Sequence, residues 1–130
     1  MGQKTIVGFI GGSGLAQGLE GILRRVEKTE NIVNKFGRVL SCYNGEYGST
    51  TVVIIPRHGD SKETPSRSPA ELVREYGYEA HIWEMHERKV RAVFGLSAVG
   101  SLDKSIPLAD QGAFVVPDQY LRGFAASQHS

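Results

Sequence analysis

The first fourteen residues constrain the fold most, because they join a strand-like run to a glycine-rich turn. Residues 4–10 (KTIVGFI) form a short apolar run that ends in the turn sequence at residues 11–14, Gly-Gly-Ser-Gly. A buried parallel strand typically breaks into such a turn. A helix is predicted over residues 15–25, although Gly18 and Gly21 weaken it. A strand, a tight turn and a helix in succession favour an α/β layer structure.

The middle of the chain predicts a hairpin. Residues 39–43 and 50–55 are rich in β-branched or aromatic side chains and flank a polar stretch at residues 44–48. Two such runs around a glycine-containing connection are typical of paired antiparallel strands. The second strand ends in Pro-Arg-His-Gly at residues 56–59, and a polar loop over residues 60–67 is expected to follow.

A helix is predicted after this loop, followed by two more strands. Residues 68–71 (Ser-Pro-Ala-Glu) combine an N-cap serine, a proline at the first helical position and a capping-box glutamate. We expect the helix to reach about Arg88, with a break at Gly77 left open. Residues 92–96 and 113–116 predict two further buried strands. The complete pattern predicts an α/β fold with a mixed sheet and flanking helices.

Length and composition bound the function class. The chain has 130 residues, 40% of them apolar, and a net charge of +1 without a basic block. We therefore expect a single domain spanning residues 1–130, a small-molecule ligand and no nucleic acid. No run approaches the roughly 20 apolar residues that span a bilayer, which excludes a membrane partner. The lone Cys42 and the absence of a signal-peptide pattern after Met1 indicate a soluble, cytoplasmic protein. Residues 122–130 are expected to form a frayed terminus.

Three predicted strand-end loops, at residues 11–14, 57–59 and 97–101, are suited to an anion. Glycines let backbone amides approach a ligand closely, serine hydroxyls donate to phosphate oxygens, and arginine offers a planar fork of donors. Together the loops would form a phosphate cradle. Taken singly, the first is equally well explained as a tight turn, the second as a solvated pair of side chains, and the third as an ordinary loop.

The order of these motifs resembles a known family. GGSGL near the start, PRHG after the hairpin, SAVGSL after the next strand and VPDQY after the last resemble methylthioadenosine phosphorylases and related purine nucleoside phosphorylases. The resemblance covers nearly the whole chain but only about the first half of the family's domain. It therefore implies a phosphorylase/hydrolase-like sheet that is truncated relative to the family.

The resemblance implies a site and a reaction. The implied phosphate-binding residues are Ser13, Arg57, His58, Ser97 and the backbone of Ala98, and the residues that would line the purine and ribose are Val99 and Gly100. The family reaction is displacement of the purine at the ribose anomeric carbon by phosphate, which gives free purine and ribose 1-phosphate. Inorganic phosphate is then a co-substrate, and no catalytic side chain, cofactor or metal is expected. Positioning of the phosphate by such a cradle can supply much of the barrier reduction.

Two departures from the family keep a second hypothesis open. The family motif Asn-Tyr-Arg-Ala-Asn-Ile is best matched by residues 77–82, where Glu79 replaces the arginine and His81 the second asparagine. The family segments that recognise the base lie beyond those matched. One hypothesis is a phosphorylase of 5'-methylthioadenosine or a similar nucleoside, completed as a homo-oligomer or by a chain that supplies the missing half. The alternative is an inactive, truncated homologue that binds phosphate or nucleoside, or associates with a full-length relative.

Two other constellations are better explained as structural. His81 and His86 are five residues apart, which turns them about 140° from each other on a helix, so they cannot easily share a metal. Cys42 lies in an apolar run without an adjacent basic group, which indicates a packing residue rather than a nucleophile.

Overall fold

The computed structural model describes residues 2–60, 66–106 and 113–121. The elements in chain order are β1 (Ile6–Gly11), α1 (Ser13–Glu20), β2 (Arg24–Asn34), β3 (Gly37–Tyr47), β4 (Thr50–Pro56), α2 (Pro69–Arg74), α3 (Gly77–Glu87) and β5 (Ala92–Gly95). Residue contacts divide the chain into two compact units, Met1–Ser97 and Ala98–Ser130, and these elements lie in the first. The mixed α/β fold is confirmed, whereas the single domain stays a prediction. Every helix among the described residues is too short or too polar to cross a bilayer.

The five strands form one mixed sheet in the order β2-β3-β4-β1-β5. Strands β2, β3 and β4 pair antiparallel, whereas β1 pairs parallel with β4 on one side and with β5 on the other. In register, Gly11 lies beside Pro56 and Ile10 beside Gly95. The carboxyl ends of β4, β1 and β5 therefore meet at one edge of the sheet, which is where ligands bind in open α/β sheets.

Both faces of the sheet are packed, because side chains alternate along β4. Val53 and Ile55 join a buried cluster that includes Ala80 and Met85 of α3. Val52 and Ile54 join a second cluster that includes Ala16 of α1. The flanking helices thus lie on opposite faces, and β4 is buried from Val52 to Pro56.

Strand β2 is the largest difference from the sequence prediction. The predicted helix over residues 15–25 ends at Glu20, and β2 begins at Arg24. Seven of its eleven residues (RRVEKTENIVN) are charged or amide-bearing in a pattern that predicts no strand. Main-chain pairing with β3 supplies the missing stabilisation, and Val26 and Ile32 each pack against a core cluster. The prediction of helix at residues 21–25 was therefore wrong.

The hairpin is confirmed, with a longer first strand than expected. β3 runs to Tyr47, so Asn44 and Gly45 lie inside the strand rather than in the turn. The connection is the pair Gly48-Ser49, and Gly48 has φ +57°, a conformation that glycine adopts readily.

The predicted helix start at Ser68 is also confirmed. The Glu71 N–H donates to Ser68 Oγ (3.2 Å), and the Ser68 N–H donates to Glu71 Oε2 (2.7 Å), which completes a capping box. The helix is interrupted, since α2 ends at Arg74 and α3 begins at Gly77. Tyr76 lies between them in the left-handed region with φ +53°.

The two strands predicted at the end of the chain were only partly right. β5 forms over Ala92–Gly95, but all four residues are exposed rather than buried. Residues 113–116 form no strand and are exposed. An apolar run becomes a strand only where its main chain can form hydrogen bonds with a neighbouring strand. No such pairing is present within the described residues 113–121.

Candidate anion-binding site

The three predicted loops begin at strand ends that are neighbours in the sheet. The Arg57 N–H donates to the Gly11 carbonyl (2.7 Å), and the Leu96 N–H donates to the Ile10 carbonyl (2.8 Å). These bonds continue the parallel pairing of β1 with β4 and with β5 by one residue. The sheet therefore delivers the starts of the three loop segments to one edge.

The Arg57 side chain connects two of these segments. Its Nη2 donates to the Leu96 carbonyl (2.7 Å) and to Ser97 Oγ (3.0 Å). Because β1 lies between β4 and β5, the guanidinium spans the carboxyl end of β1. Of the sequence-predicted site residues, Arg57 and Ser97 are thus in direct contact.

The third segment is the start of α1. Gly12 is the extended N-cap, and Ser13 is the first residue of the helix. The Leu15 N–H donates to the Gly12 carbonyl (3.1 Å), which closes the first turn. The first amides of a helix lack intrahelical partners and carry partial positive charge, so this end of α1 favours a nearby anion.

His58 is held by the backbone of Arg67. The Arg67 N–H donates to the His58 carbonyl (2.8 Å), and His58 Nδ1 lies 2.8 Å from the Arg67 carbonyl oxygen. A carbonyl oxygen can only accept, so Nδ1 carries the hydrogen in this bond. In the neutral ring, the other nitrogen, Nε2, is then a hydrogen-bond acceptor.

The turn after His58 is packed tightly against β3. Gly59 has φ +93°, and a Cβ atom at this position would lie 2.8 Å from Leu40 Cδ1. Beyond it, Asp60 accepts a hydrogen bond from the Tyr43 hydroxyl and pairs with Lys28 Nζ at 3.3 Å. Carboxylates next to Lys28, chiefly that of Glu30 and then that of Asp60, raise its pKa above the ordinary range. The loop is therefore attached to β3 and β2 at this end.

Sequence reasoning missed Arg67, which it placed in a polar loop. The side chain is only 6% exposed. Its Nη2 donates to the Arg38 carbonyl of β3 (2.7 Å), and its Nη1 donates to Glu75 Oε2 at the end of α2 (3.2 Å). The residues next to Arg67 in the sequence do not indicate that it is buried, because its hydrogen-bond partners lie on other elements.

Sequence reasoning also assigned no role in the site's electrostatics to His81. Its side chain is 1% exposed, and its Nδ1 has no hydrogen-bond partner among the described residues. Burial lowers the pKa of His81 to about 4, and the nearby guanidinium groups of Arg67 and then Arg57 act in the same direction. His81 is therefore neutral at pH 7. No group of three potential metal ligands occurs within residues 2–60, 66–106 and 113–121.

Ala98, Val99 and Gly100 open the second unit of the chain. All three are exposed and lie in no regular element. Their implied contacts with phosphate, purine and ribose stay predictions.

Two surface grooves lie apart from the strand-end loops. One, of about 590 Å³, is lined by Phe36, Tyr78, Glu79, Ile82, Trp83 and His86. The other, of about 670 Å³, is lined by residues 3–6, His86 and residues 89–91. Neither includes Arg57, His58 or Ser97, so convergent polar groups rather than the depth of a concavity identify the candidate site.

Known proteins resemble this chain over most of its length. No protein-family model matches the chain. It is 34% identical over 120 residues to S-methyl-5'-thioadenosine phosphorylase of Saccharolobus solfataricus, covering 92% of the chain and 40% of that protein. It is 30% identical over 123 residues to a probable 6-oxopurine nucleoside phosphorylase of Thermococcus kodakarensis, covering 95% of the chain and 40% of the relative.

A solved structure of a phosphorylase has a similar fold. A variant of adenosine/methylthioadenosine phosphorylase from Schistosoma mansoni, in complex with adenine, superposes with a TM-score of 0.59 at 27% identity. The match covers 79% of this chain and 32% of that one. The resemblance drawn from the motifs is therefore confirmed. The chain is a partial relative of the methylthioadenosine and purine nucleoside phosphorylases, spanning about 40% of the length of the curated relatives it matches.

Proposed function

We propose that the chain takes part in the phosphorolysis of a purine nucleoside, 5'-methylthioadenosine or a similar one, with inorganic phosphate as co-substrate. The observation that carries this proposal is the Arg57 guanidinium, which spans the carboxyl end of β1 and contacts Leu96 and Ser97. The similarity to phosphorylases along nearly the whole chain supports the same reaction class.

Arg57 is suited to hold a phosphate against the sugar. Both of its side-chain hydrogen bonds to described residues use Nη2. The N–H groups of Nη1 and Nε can therefore still donate to a bound anion, each from its own side of the guanidinium, and the positive charge strengthens such bonds. The amino end of α1 at Ser13 adds backbone donors from the neighbouring strand end.

The proposed mechanism needs no covalent intermediate. A positioned phosphate oxygen attacks the anomeric carbon while the bond to the purine breaks, and the phosphate dianion stabilises the positive charge that develops on the sugar. Arg57, Ser13, Ser97 and the Ala98 backbone orient the phosphate, and His58 meets it through Nε2. Val99 and Gly100 would line the nucleoside. Neither a metal nor an organic cofactor enters this scheme.

Groups that recognise and activate the purine must come from elsewhere in a complete enzyme. We propose that a homo-oligomer, or a chain corresponding to the unmatched part of the relatives, supplies them in the cytoplasm. The alternative is a homologue that binds phosphate or nucleoside, or associates with a full-length relative, without turnover. This second function is supported by the share of the relatives that the chain spans, which is about 40%.

The test is phosphate-dependent release of free base from 5'-methylthioadenosine and from ordinary purine nucleosides. Wild type and an Arg57→Ala variant are compared, with base release followed by chromatography. Release that requires phosphate and is lost in Arg57→Ala would support the enzyme. Phosphate binding without release would favour the non-catalytic homologue, and neither binding nor release would refute both.

A further inference from the structure

The buried guanidinium of Arg67 is not explained by the proposed phosphate contacts. A guanidinium removed from water destabilises a fold unless it is paired and hydrogen-bonded. Arg67 meets this requirement only in part, since Arg38 and Glu75 satisfy its terminal nitrogens while its Nε is buried without a partner among the described residues. A residue kept buried in this state needs a reason other than simple packing.

Its surroundings are shaped to receive the guanidinium. A Cβ atom at Gly77 would lie 3.3 Å from Arg67 Nη1 and 2.6 Å from Leu72 Cδ2. A larger residue at the start of α3 would therefore displace the Arg67 side chain or Leu72. Burial is the main cause that lowers the pKa of His81, and the positive charges of Arg67 and then Arg57 add to it. Arg67 and Arg57 thus act on the same region of α3.

The backbone of Arg67 is the part that contacts the candidate site. Its N–H and its carbonyl both bond to His58, and His58 directly follows Arg57. The guanidinium fixes this backbone by joining it to β3 through Arg38 and to the end of α2 through Glu75. A continuous set of contacts therefore runs from the protein's interior to the ring of His58.

We propose that Arg67 is a positioning residue of the anion-binding site. It holds the His58 ring in the tautomer with hydrogen on Nδ1, donated to the Arg67 carbonyl, and so presents the unprotonated Nε2 as an acceptor to the ligand, which for hydrogen phosphate means its P–OH group. The identity of that ligand as phosphate rests on the proposed function, but the control of the His58 ring does not.

The test compares Arg67→Met, which keeps the apolar stem, with Arg88→Met as a matched control. Arg88 is a second, partly buried arginine whose side chain pairs with Glu84 at 2.8 Å and makes no described contact with His58. Nitrogen-15 NMR of the histidine rings reports the tautomer of His58 without ligand, and calorimetry reports the Kd for inorganic phosphate. Chemical denaturation of each variant identifies the conditions in which it stays folded.

The proposal predicts that Arg67→Met shifts the His58 ring signals away from the Nδ1-protonated tautomer and weakens phosphate binding about tenfold, or about 1.4 kcal/mol. Arg88→Met should lower stability and leave both readouts unchanged. Unchanged His58 signals in folded Arg67→Met would overturn the proposal. If Arg67→Met does not fold, Arg67→Lys, which keeps the charge but loses the planar fork, must shift the His58 signals in the same direction, and unchanged signals there would also overturn it.

The two proposals can fail separately. A wild-type protein that binds no phosphate, with His58 signals that still respond to Arg67→Met, would refute the proposed function and leave the role of Arg67 standing. Phosphate binding that depends on Arg57 but not on Arg67, together with unchanged His58 ring signals, would refute the role of Arg67 and leave the proposed function standing.

Discussion

Strands β3 and β5 belong to the same sheet and each contains apolar residues, yet these residues have opposite environments. Along β3, residues from Val39 to Tyr43 are buried. Along β5, every residue from Ala92 to Gly95 is exposed. β3 lies between two strands and under α3, whereas β5 is an edge strand that pairs only with β1 among the described residues. Position in the sheet, not apolar content, therefore decides burial.

Two regions of the sheet differ in the same way: one contains much of the buried packing, and the other contains the candidate binding site. The antiparallel region, β2-β3-β4 with α3, holds much of the buried core, including Val39, Cys42 and Val53. The parallel region, β4-β1-β5, supplies the strand ends that converge on Arg57 and Ser97. β4 belongs to both regions and joins them. We expect substitutions in the first region to act on folding, and those at the parallel strand ends to act on ligand binding.

The largest expected effect tests this division in the core. Leu40→Ala on β3 removes a buried side chain and should lower the free energy of unfolding by about 2–5 kcal/mol. Val93→Ala on β5 should lower it by less than about 1 kcal/mol, because Val93 is already half exposed. Urea denaturation of both variants measures the two values. Equal losses would contradict the contrast between the strands.

A second test uses the buried His81. Its pKa of about 4 in the folded protein lies below the ordinary value of 6.5, so the unfolded chain takes up the proton first. Above pH 6.5 the burial of neutral His81 should leave the free energy of unfolding undiminished. As the pH drops to 4, the free energy of unfolding should fall by roughly 3 kcal/mol. His81→Gln should flatten this part of the pH profile, whereas the exposed His86→Gln should not. An identical profile in His81→Gln would show that other groups cause the acid sensitivity.

A third test concerns the turn at Gly59, which follows β4. Gly59→Ala places a Cβ against Leu40 at φ +93° and should cost about 2 kcal/mol. Gly48→Ala is the matched control, since its φ is +57° and no atom lies within 4 Å of the added Cβ, so the cost should be about 1 kcal/mol. Thermal unfolding measures both. Only Gly59→Ala should also weaken phosphate binding, and equal binding in the two variants would separate the turn from the site.

The smallest effect lies in α2, which packs against α3 and so belongs with the antiparallel region. Ser68→Ala removes the capping-box oxygen and should cost about 1 kcal/mol. Ser66→Ala, at an exposed position two residues earlier, should change stability little. Neither variant should alter phosphate binding by more than the measurement error. A loss of affinity in Ser68→Ala would extend the site's supports to α2.

Much of the fold could be predicted from local sequence signals. The run before the glycine turn, the hairpin, the Ser68 cap and the break before Gly77 all depend on neighbouring residues, and the structure contains them. The contact of Arg57 with Ser97 joins two of the three strand-end loops in which the sequence predicted a phosphate cradle. β2 and the exposure of β5 could not be predicted in this way, because both depend on which strand lies alongside.

The same distinction applies to the site. Arg57 and His58 were predicted because they directly follow a strand. Arg67 and His81 were missed because their environments come from elements distant in sequence: Arg67 contacts β3 and Glu75, and His81 is buried near Arg67 and Arg57. A sequence shows which residues can bind an anion. It does not show which buried residues hold them in place.

The most direct test of the central claim is a calorimetric titration of inorganic phosphate into wild type, Arg57→Met and Arg74→Met. Arg74 is an exposed arginine in the last turn of α2 and controls for the loss of one positive charge. The account predicts phosphate binding by wild type, at least about tenfold weaker binding by Arg57→Met, and unchanged binding by Arg74→Met. Equal affinity in wild type and Arg57→Met, or no binding by any of the three, would contradict the claim that the parallel strand ends form a phosphate site.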